Sequence, residues 1–328
     1  MNTLRLIAFL SLYSIVSFGQ TVILDQATKE PIPYAAVSFN NGYGIFADDS
    51  GVFVFTEKIY PDVDTLHVSS LGFKDIKFPS VKLKDTLFLE QEIDRLDEVV
   101  LTVDLYKDKK YKVEELEPYL DDDYYKCWLP TIESEIAVFF NNPSEQPSKL
   151  QTVHFPIALE SRDWEKRSKK NADKKPFSTL FKVNFYHNDN GQPGKPLIYE
   201  TVAFWVTEKN GDQFDLEVAD YNMIIPENGL FISLQVLGYT DKNGKLLPNK
   251  KYKEVKSRKG DMVKIPTNFR PLLPFTNEIK GNQTYVKRVF IKDNKWVLFS
   301  KGTFGKSTLL DNGLNNYGIG ISYRVYKD

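Results

Sequence analysis

The feature that most restricts this chain is a two-residue alternation of apolar and polar side chains, repeated in short runs along most of its length. In the run 34–39, Ala35, Val37 and Phe39 alternate with Tyr34, Ala36 and Ser38, and the first set is expected inside. The same period recurs in 136–140, 152–158, 181–186, 201–206, 230–237, 285–291 and 319–325. A period of two sends successive side chains to opposite faces of an extended strand, which suits a sheet with one buried face. Turn signals separate the runs: Asn190-Gly191, Pro193-Gly194, Asn210-Gly211, Asn243-Gly244 and Asp293-Asn294. Aromatics make up 14% of the residues and fall mainly in these runs, where they fit a pleated, half-buried surface. The expectation is an all-β protein, and 328 residues suit two ordinary domains rather than one.

The first twenty residues point to export. Arg5 precedes the apolar run 6–18, which only Ser11, Ser14 and Ser17 interrupt, and Ser17 and Gly19 put small residues before a cut at Gln20. That is the pattern of a secretory signal peptide over residues 1–19, and the run is short for a membrane span. No later run has the length of a transmembrane helix. The single cysteine, Cys127, has no partner for an internal disulfide and is expected to be a small buried hydrophobe. Forty-three basic and 44 acidic residues leave a net charge of −1, which gives no global field for nucleic acid.

Residues 20–103 read as a first domain of short strands. A strand is expected near 22–24, then Pro31 and Pro33 prepare an extended segment, and Asp48-Asp49-Ser50-Gly51 forms a tight turn with Gly51 at positive φ. Further strands are expected at 52–55, 66–70 and 86–89. Within this frame, Gly44-Ile45-Phe46-Ala47-Asp48-Asp49-Ser50-Gly51-Val52-Phe53 follows a pattern of Gly, then Thr-Asp, then Gly-x-Phe, with Ala47 where Thr is usual. Pro31-Ile32-Pro33-Tyr34-Ala35-Ala36-Val37 precedes it, Leu66-His67-Val68-Ser69-Ser70-Leu71-Gly72-Phe73 follows, and Leu96-Asp97-Glu98-Val99-Val100 is similar to an exit segment. Together these resemble the carboxypeptidase regulatory-like domain, over about a quarter of the chain. The resemblance implies a transthyretin-like, Ig-like sandwich of seven strands without catalytic activity, found in exported proteins of Gram-negative bacteria.

Residues 104–130 are mixed in charge and read as a linker, with Glu114-Glu115-Leu116-Glu117 able to make one helical turn before Pro118. Asp121-Asp122-Asp123 is a solvated acidic run rather than a calcium loop, because no glycine-bearing loop or closing Glu completes it. Residues 131–328 are expected to form a second, jelly-roll-like sandwich. Asp189-Asn190-Gly191 and Asp241-Lys242-Asn243-Gly244 read as hairpin turns rather than cation loops.

The chemistry implied by the family's name is missing. A zinc peptidase needs three protein ligands at fixed spacing, yet His67, His154 and His187 begin neither His-x-x-Glu nor His-Glu-x-x-His. There is no Gly-x-Ser-x-Gly elbow, and Gly305-Lys306-Ser307 lacks the spacing of a phosphate loop. No cofactor or metal is expected. Binding signals are softer: Arg162, Lys166, Arg167, Lys169, Lys170, Lys174 and Lys175 form a basic segment able to meet an anionic glycan, lipopolysaccharide or membrane surface. Trp164 within it is the tryptophan best placed to stack on a ligand, with Trp128 a further stacking candidate, while Trp205 and Trp296 are expected in the core.

The function expected from the sequence is therefore a non-enzymatic binding or scaffold protein, periplasmic or outer-membrane-associated, whose partner is an envelope protein or glycan. Two alternatives stay open. One makes residues 131–328 an outer-membrane β-barrel or a transporter-associated part; the other places a glycan-active enzyme with paired carboxylates in the second domain.

Overall fold

A computed structural model describes residues 19–92, 109–121, 123–142, 144–166, 172–248, 253–257, 260–265, 267–279, 283–291, 295–305 and 307–327. The leader-like residues 1–18, the exit segment 96–100 and the Asp293-Asn294 turn signal lie outside them. The described residues are almost all β. Their one α-helical stretch is a single turn, Thr308–Asp311, and among the described residues no helix is long and apolar enough to cross a membrane.

Seven strands build the first sandwich: β1 (Gln20–Asp25), β2 (Ala36–Ser38), β3 (Gly44–Phe46), β4 (Val52–Val54), β5 (Thr65–Ser69), β6 (Ile76–Pro79) and β7 (Thr86–Leu89). They form a three-stranded sheet in the order β4-β1-β7 and a four-stranded sheet in the order β3-β2-β5-β6. All pairs are antiparallel except β1 with β7. Ala35, Val37 and Phe39 are buried as the alternation requires, with Ile23, Phe53, Leu66, Val68 and Leu89 facing them. The turn into β4 is held by Asp48, whose Oδ1 accepts from the amides of Ser50 (3.0 Å) and Val52 (2.9 Å). Gly51 there has φ of 70°, and a Cβ would lie 2.6 Å from the Ile23 carbonyl oxygen, so both its conformation and its surroundings call for glycine.

The second sandwich begins earlier than expected. Residues Tyr111–Leu116 are a strand, β8, not a linker or a helical turn. They pair with the last strand of the chain from Tyr111↔Tyr326 to Leu116↔Ile321. The reason lies in the tertiary structure: a charged edge strand keeps its side chains in water while its backbone completes a sheet, so composition alone reads as linker. After it come β9 (Cys127–Trp128), β10 (Ser134–Phe140), β11 (Ser148–Pro156), β12 (Ser178–Asp189), β13 (Gln192–Pro196), β14 (Val202–Thr207), β15 (Gln213–Glu217) and β16 (Leu230–Tyr239). Then follow β17 (Lys253–Lys256), β18 (Met262–Ile265), β19 (Leu273–Thr276), β20 (Thr284–Arg288), β21 (Val297–Leu298), β22 (Asn316–Tyr317) and β23 (Gly320–Tyr326).

The main layers are a seven-stranded sheet, β13-β12-β16-β10-β20-β21 with β14 also on β12, and a four-stranded sheet, β15-β11-β23-β8. Smaller units are β22-β19-β9 and the hairpin β17-β18. One apolar core lies between the layers, from Val183, Phe185, Ile232, Leu234, Ile136 and Val286 on the large sheet to Leu150, Val153, Phe155, Ile321 and Tyr323 on the smaller. The large sheet is open, ending on β13 and β14 at one side and β21 at the other. The barrel alternative for residues 131–328 is therefore corrected: the described strands pack two sheets face to face instead of closing one on itself.

Two local expectations also change. Pro193-Gly194 is not a turn but part of β13, an edge strand on which Pro193 need not donate to a ladder. Asn190 and Gly191, at φ of 52° and 84°, make the turn before it. Trp205 is not a core residue: it is 51% exposed, because Val202, Phe204 and Val206 take the inward positions of β14.

Candidate functional site

The outward face of the seven-stranded sheet carries what the alternation left out of the core. With Val183 and Phe185 inward on β12, Lys182, Asn184 and Tyr186 face out. On β16 the outward residues are Phe231, Ser233 and Gln235, on β10 Glu135, Ala137 and Phe139, and on β20 Tyr285 and Lys287. Register joins them into rows. Lys182 stands opposite Gln235, Gln235 opposite Glu135, and Glu135 opposite Lys287.

Glu135 is the hub. Its Oε1 accepts from Ser233 Oγ (2.6 Å), Asn184 Nδ2 (2.8 Å) and the Tyr186 hydroxyl (2.9 Å), while Lys287 Nζ stands 3.7 Å from Oε2. The residue is only 3% exposed. Burial acts to raise its pKa, but the ammonium groups of Lys287 and Lys182 and the donors Ser233 and Asn184 outweigh it and hold the carboxyl below its ordinary value. Burial pulls Lys182 the other way, below the ordinary lysine value, although Glu135 opposes that shift. Burial and the adjoining carboxylate push the Tyr186 phenol well up, so it stays a neutral donor. Trp296 covers this end edge-on to Tyr186 at 5.7 Å, with Lys287 Nζ 5.2 Å from its ring centre. Its place is the outward face, not the main core where the sequence put it.

The first sandwich sits over this face. Phe46 belongs to the second domain's core, 5.2 Å from the ring of Phe290. Ser38 Oγ donates to the Phe290 carbonyl at 2.8 Å. Gly44 is glycine because a Cβ would come within 2.3 Å of the Phe290 ring. Beside this contact the two domains leave a cleft of about 510 Å³. Lys182 and Asn184 form its floor, the first domain supplies Ile32, Leu71, Phe73 and Gln91, and the loop before β14 supplies Tyr199 and Glu200. That volume lies within the range of small-molecule sites, and the lining mixes apolar residues with a larger number of polar and charged ones. Asp25, also on the wall, is committed: Gln91 Nε2 donates to Oδ2 at 2.5 Å and the Ala27 amide to Oδ1 at 2.8 Å. Burial opposes the shift, but these bonds lower its pKa, which unsuits it to act as a general acid.

A second constellation was also invisible in the sequence. On the outward face of the four-stranded sheet, His154 Nδ1 lies 2.7 Å from Asp215 Oδ1 and Nε2 lies 2.7 Å from Ser322 Oγ. The connectivity is that of a serine-histidine-aspartate triad. It lacks the rest of such a site. Ser322 is in the middle of β23, which is hydrogen-bonded to β11 on one side and β8 on the other, so its amides serve the ladders rather than an oxyanion. Glu115 Oε1, 3.4 Å from Nε2, competes for the same proton. None of these residues lines the cleft.

The sequence-predicted basic segment is elsewhere again. Trp164 and Lys166 stand in a one-turn 3-10 helix between β11 and β12. Lys166 is exposed and paired with Asp163 at 2.9 Å, Arg162 with Asp173 at 3.3 Å, and Lys175 with Glu160. Arg167, Lys169 and Lys170 lie outside the described residues. Arg162, Lys166 and Lys175 thus each face a carboxylate, and neither they nor Lys174 line the cleft. Trp128 is not free to stack on a ligand: it packs on Phe275, Phe299 and Phe304. Cys127 is buried, as expected. His67 pairs with Asp75 at 3.1 Å.

No family model matches the chain, and no curated protein does. Among solved structures it is similar to the cysteine protease and lectin-like domains of Cwp84, a surface-layer-associated protein of Clostridium difficile. The identity is 12% and the TM-score 0.32, over 65% of this chain and 36% of that one. The clostridial protease Cwp84 after propeptide cleavage matches with 11% identity and a TM-score of 0.32, over 65% and 40%. The matches span well under half of those chains, and at that score they carry no argument about fold or activity.

Proposed function

We propose that this chain is an exported, non-enzymatic binding protein of the bacterial cell envelope that takes a small ligand in the cleft between its two sandwiches. On this reading residues 20–103 are a carboxypeptidase regulatory-like module that supplies one wall. The observation that carries the proposal is the cleft of about 510 Å³ between the two sandwiches, whose floor holds the half-buried Lys182 and Asn184, the latter donating to the buried carboxylate of Glu135 beneath it. Such charges are costly without partners, and a sandwich built only for stability would bury apolar residues there. The leader-like pattern of Arg5 and residues 6–18 supports export.

The test is native mass spectrometry of protein recovered undenatured from fractionated cells. The wild-type protein is expected in the envelope fraction with a bound small molecule. Leu71→Trp, which fills the cleft from the first-domain side, is expected to fold and lose it. A protein found in the cytoplasm, or one whose adducts survive the filled cleft, defeats the proposal.

A further inference from the structure

Among the residues that line the cleft, Lys182 is the one amine, and no carboxylate stands within ion-pair distance of it. Asp25, Glu30 and Glu200 line the same cleft, yet Lys182 makes no ion pair or hydrogen bond with them or with any other described residue. Asp25 is already held by Gln91 and the Ala27 amide. The Phe46 ring centre lies 5.9 Å from Nζ, and the side chain is half-buried. Burial is the largest influence on the amine and favours its neutral form. Lys287, a second cation on the same sheet face, acts in the same direction, and Glu135 opposes both without reversing them. A lysine desolvated beside another cation supplies free amine near neutral pH, and the free amine is the nucleophile. Lys209 and Lys242, by contrast, are exposed.

We propose that Lys182 captures a small neutral aldehyde from the cleft as a reversible imine. The inference rests on the cleft being the ligand site, and it needs no turnover. The nitrogen lone pair attacks the carbonyl carbon, and the π pair of the C=O bond moves to oxygen, which takes one proton from the nitrogen. The resulting carbinolamine loses its hydroxyl, together with the second amine proton, as water while the C=N bond forms. Addition of water reverses both steps, and no oxidant or reductant is consumed. Glu30 and Glu200 are exposed beside the cleft and disfavour an anionic carbonyl compound such as a keto acid. Ile32, Leu71 and Phe73 give the aldehyde's substituent an apolar surface.

The test treats the whole protein with benzaldehyde and sodium cyanoborohydride at pH 7 and follows each lysine by peptide mass spectrometry. Lys182 is expected to be benzylated about 10-fold faster than Lys209 and Lys242, since lowering a lysine's pKa by one raises its free-amine fraction about 10-fold at neutral pH. These rates come from one sample of unaltered protein, so a folding defect in a variant cannot produce the difference. Leu71→Trp, which keeps the amine but fills the cleft, should slow Lys182 to the rate of the exposed lysines or below. A Lys182 rate no greater than theirs in the wild-type protein overturns the capture. The cleft then remains the ligand site if the small molecule carried by the wild-type protein is still lost in Leu71→Trp, and falls if it is not. Fast benzylation of Lys182 that Leu71→Trp does not slow also overturns the proposal, because the aldehyde would then reach the amine by another route.

Discussion

Two rows of polar side chains cross the two main sheets of the second sandwich, and they differ chiefly in what lies above them. On the four-stranded sheet, Asp215, His154, Ser322 and Glu115 form a row whose carboxylates are open to solvent, with the Asp215 side chain 53% exposed. On the seven-stranded sheet, Lys182, Gln235, Glu135 and Lys287 form a similar row, but a neighbouring domain and Trp296 cover part of it. The first row is satisfied within itself and by water. The second keeps a donor and a charge without partners. Cover, rather than residue type, separates a surface polar ladder from a candidate site, because the cost of an unpaired group rises as water is removed.

The comparison predicts very different costs for removing the central member of each row. Glu135→Ala leaves two ammonium groups facing each other and strands the donors of Ser233, Asn184 and Tyr186, so a loss of about 3–5 kcal/mol is expected. His154→Ala removes two hydrogen bonds, and the charged partner, Asp215, is left open to water while only the hydroxyl of Ser322 is buried, so about 1–2 kcal/mol is expected. Urea unfolding of the two variants measures both. Similar losses would mean that the first domain does not shield the larger sheet.

Acid sharpens the same contrast. Glu135 and Asp215 both have folded-state pKa values below their ordinary 4.5 and 3.8. A depressed carboxyl contributes stability that is fully present above its unfolded value and is lost as pH falls through the folded one. For Asp215 burial works against the shift and the His154 and Gln213 contacts produce it, at a half-exposed position where solvent screens the gain. Stability should therefore fall below about pH 4.5 mainly through Glu135. Comparing unfolding between pH 5 and pH 2, Glu135→Gln should flatten the acid limb visibly and Asp215→Asn only slightly. An equal effect of the two would erase the distinction between the rows.

The difference between the rows also explains what could be read from the sequence. Alternation at Ala35, Val37 and Phe39 is a local signal, and these positions are buried as expected; the run 181–186 alternates too, and Val183 and Phe185 take its buried phase. The run Asp48-Asp49-Ser50-Gly51 read as a turn with Gly51 at positive φ, and the backbone turns there. Edge strands such as β8 gave no signal because an exposed strand need not alternate, and Trp205 misled because alternation has two phases and only register chooses between them. The site was the least legible part. Glu135, Lys182 and Gln235 are about fifty residues apart in sequence and meet only through strand pairing, and each looked like the outward residue of an ordinary strand. The segment that did attract notice, Arg162 to Lys175, did so because its charges are consecutive. Consecutive charge most often describes a solvated loop.

That loop supplies the smallest predicted effect and the control for the others. Lys166 is 61% exposed and its partner Asp163 48% exposed, three residues away, so solvent screens the pair. Lys166→Gln should leave the urea unfolding midpoint where it is in the wild-type protein. It should also leave in place any small molecule that the wild-type protein carries in the cleft, since the residue does not line it. A several-fold loss of ligand affinity in this variant, with the unfolding midpoint unmoved, would transfer the binding site from the covered sheet to the basic loop and reverse the order of importance argued for the two.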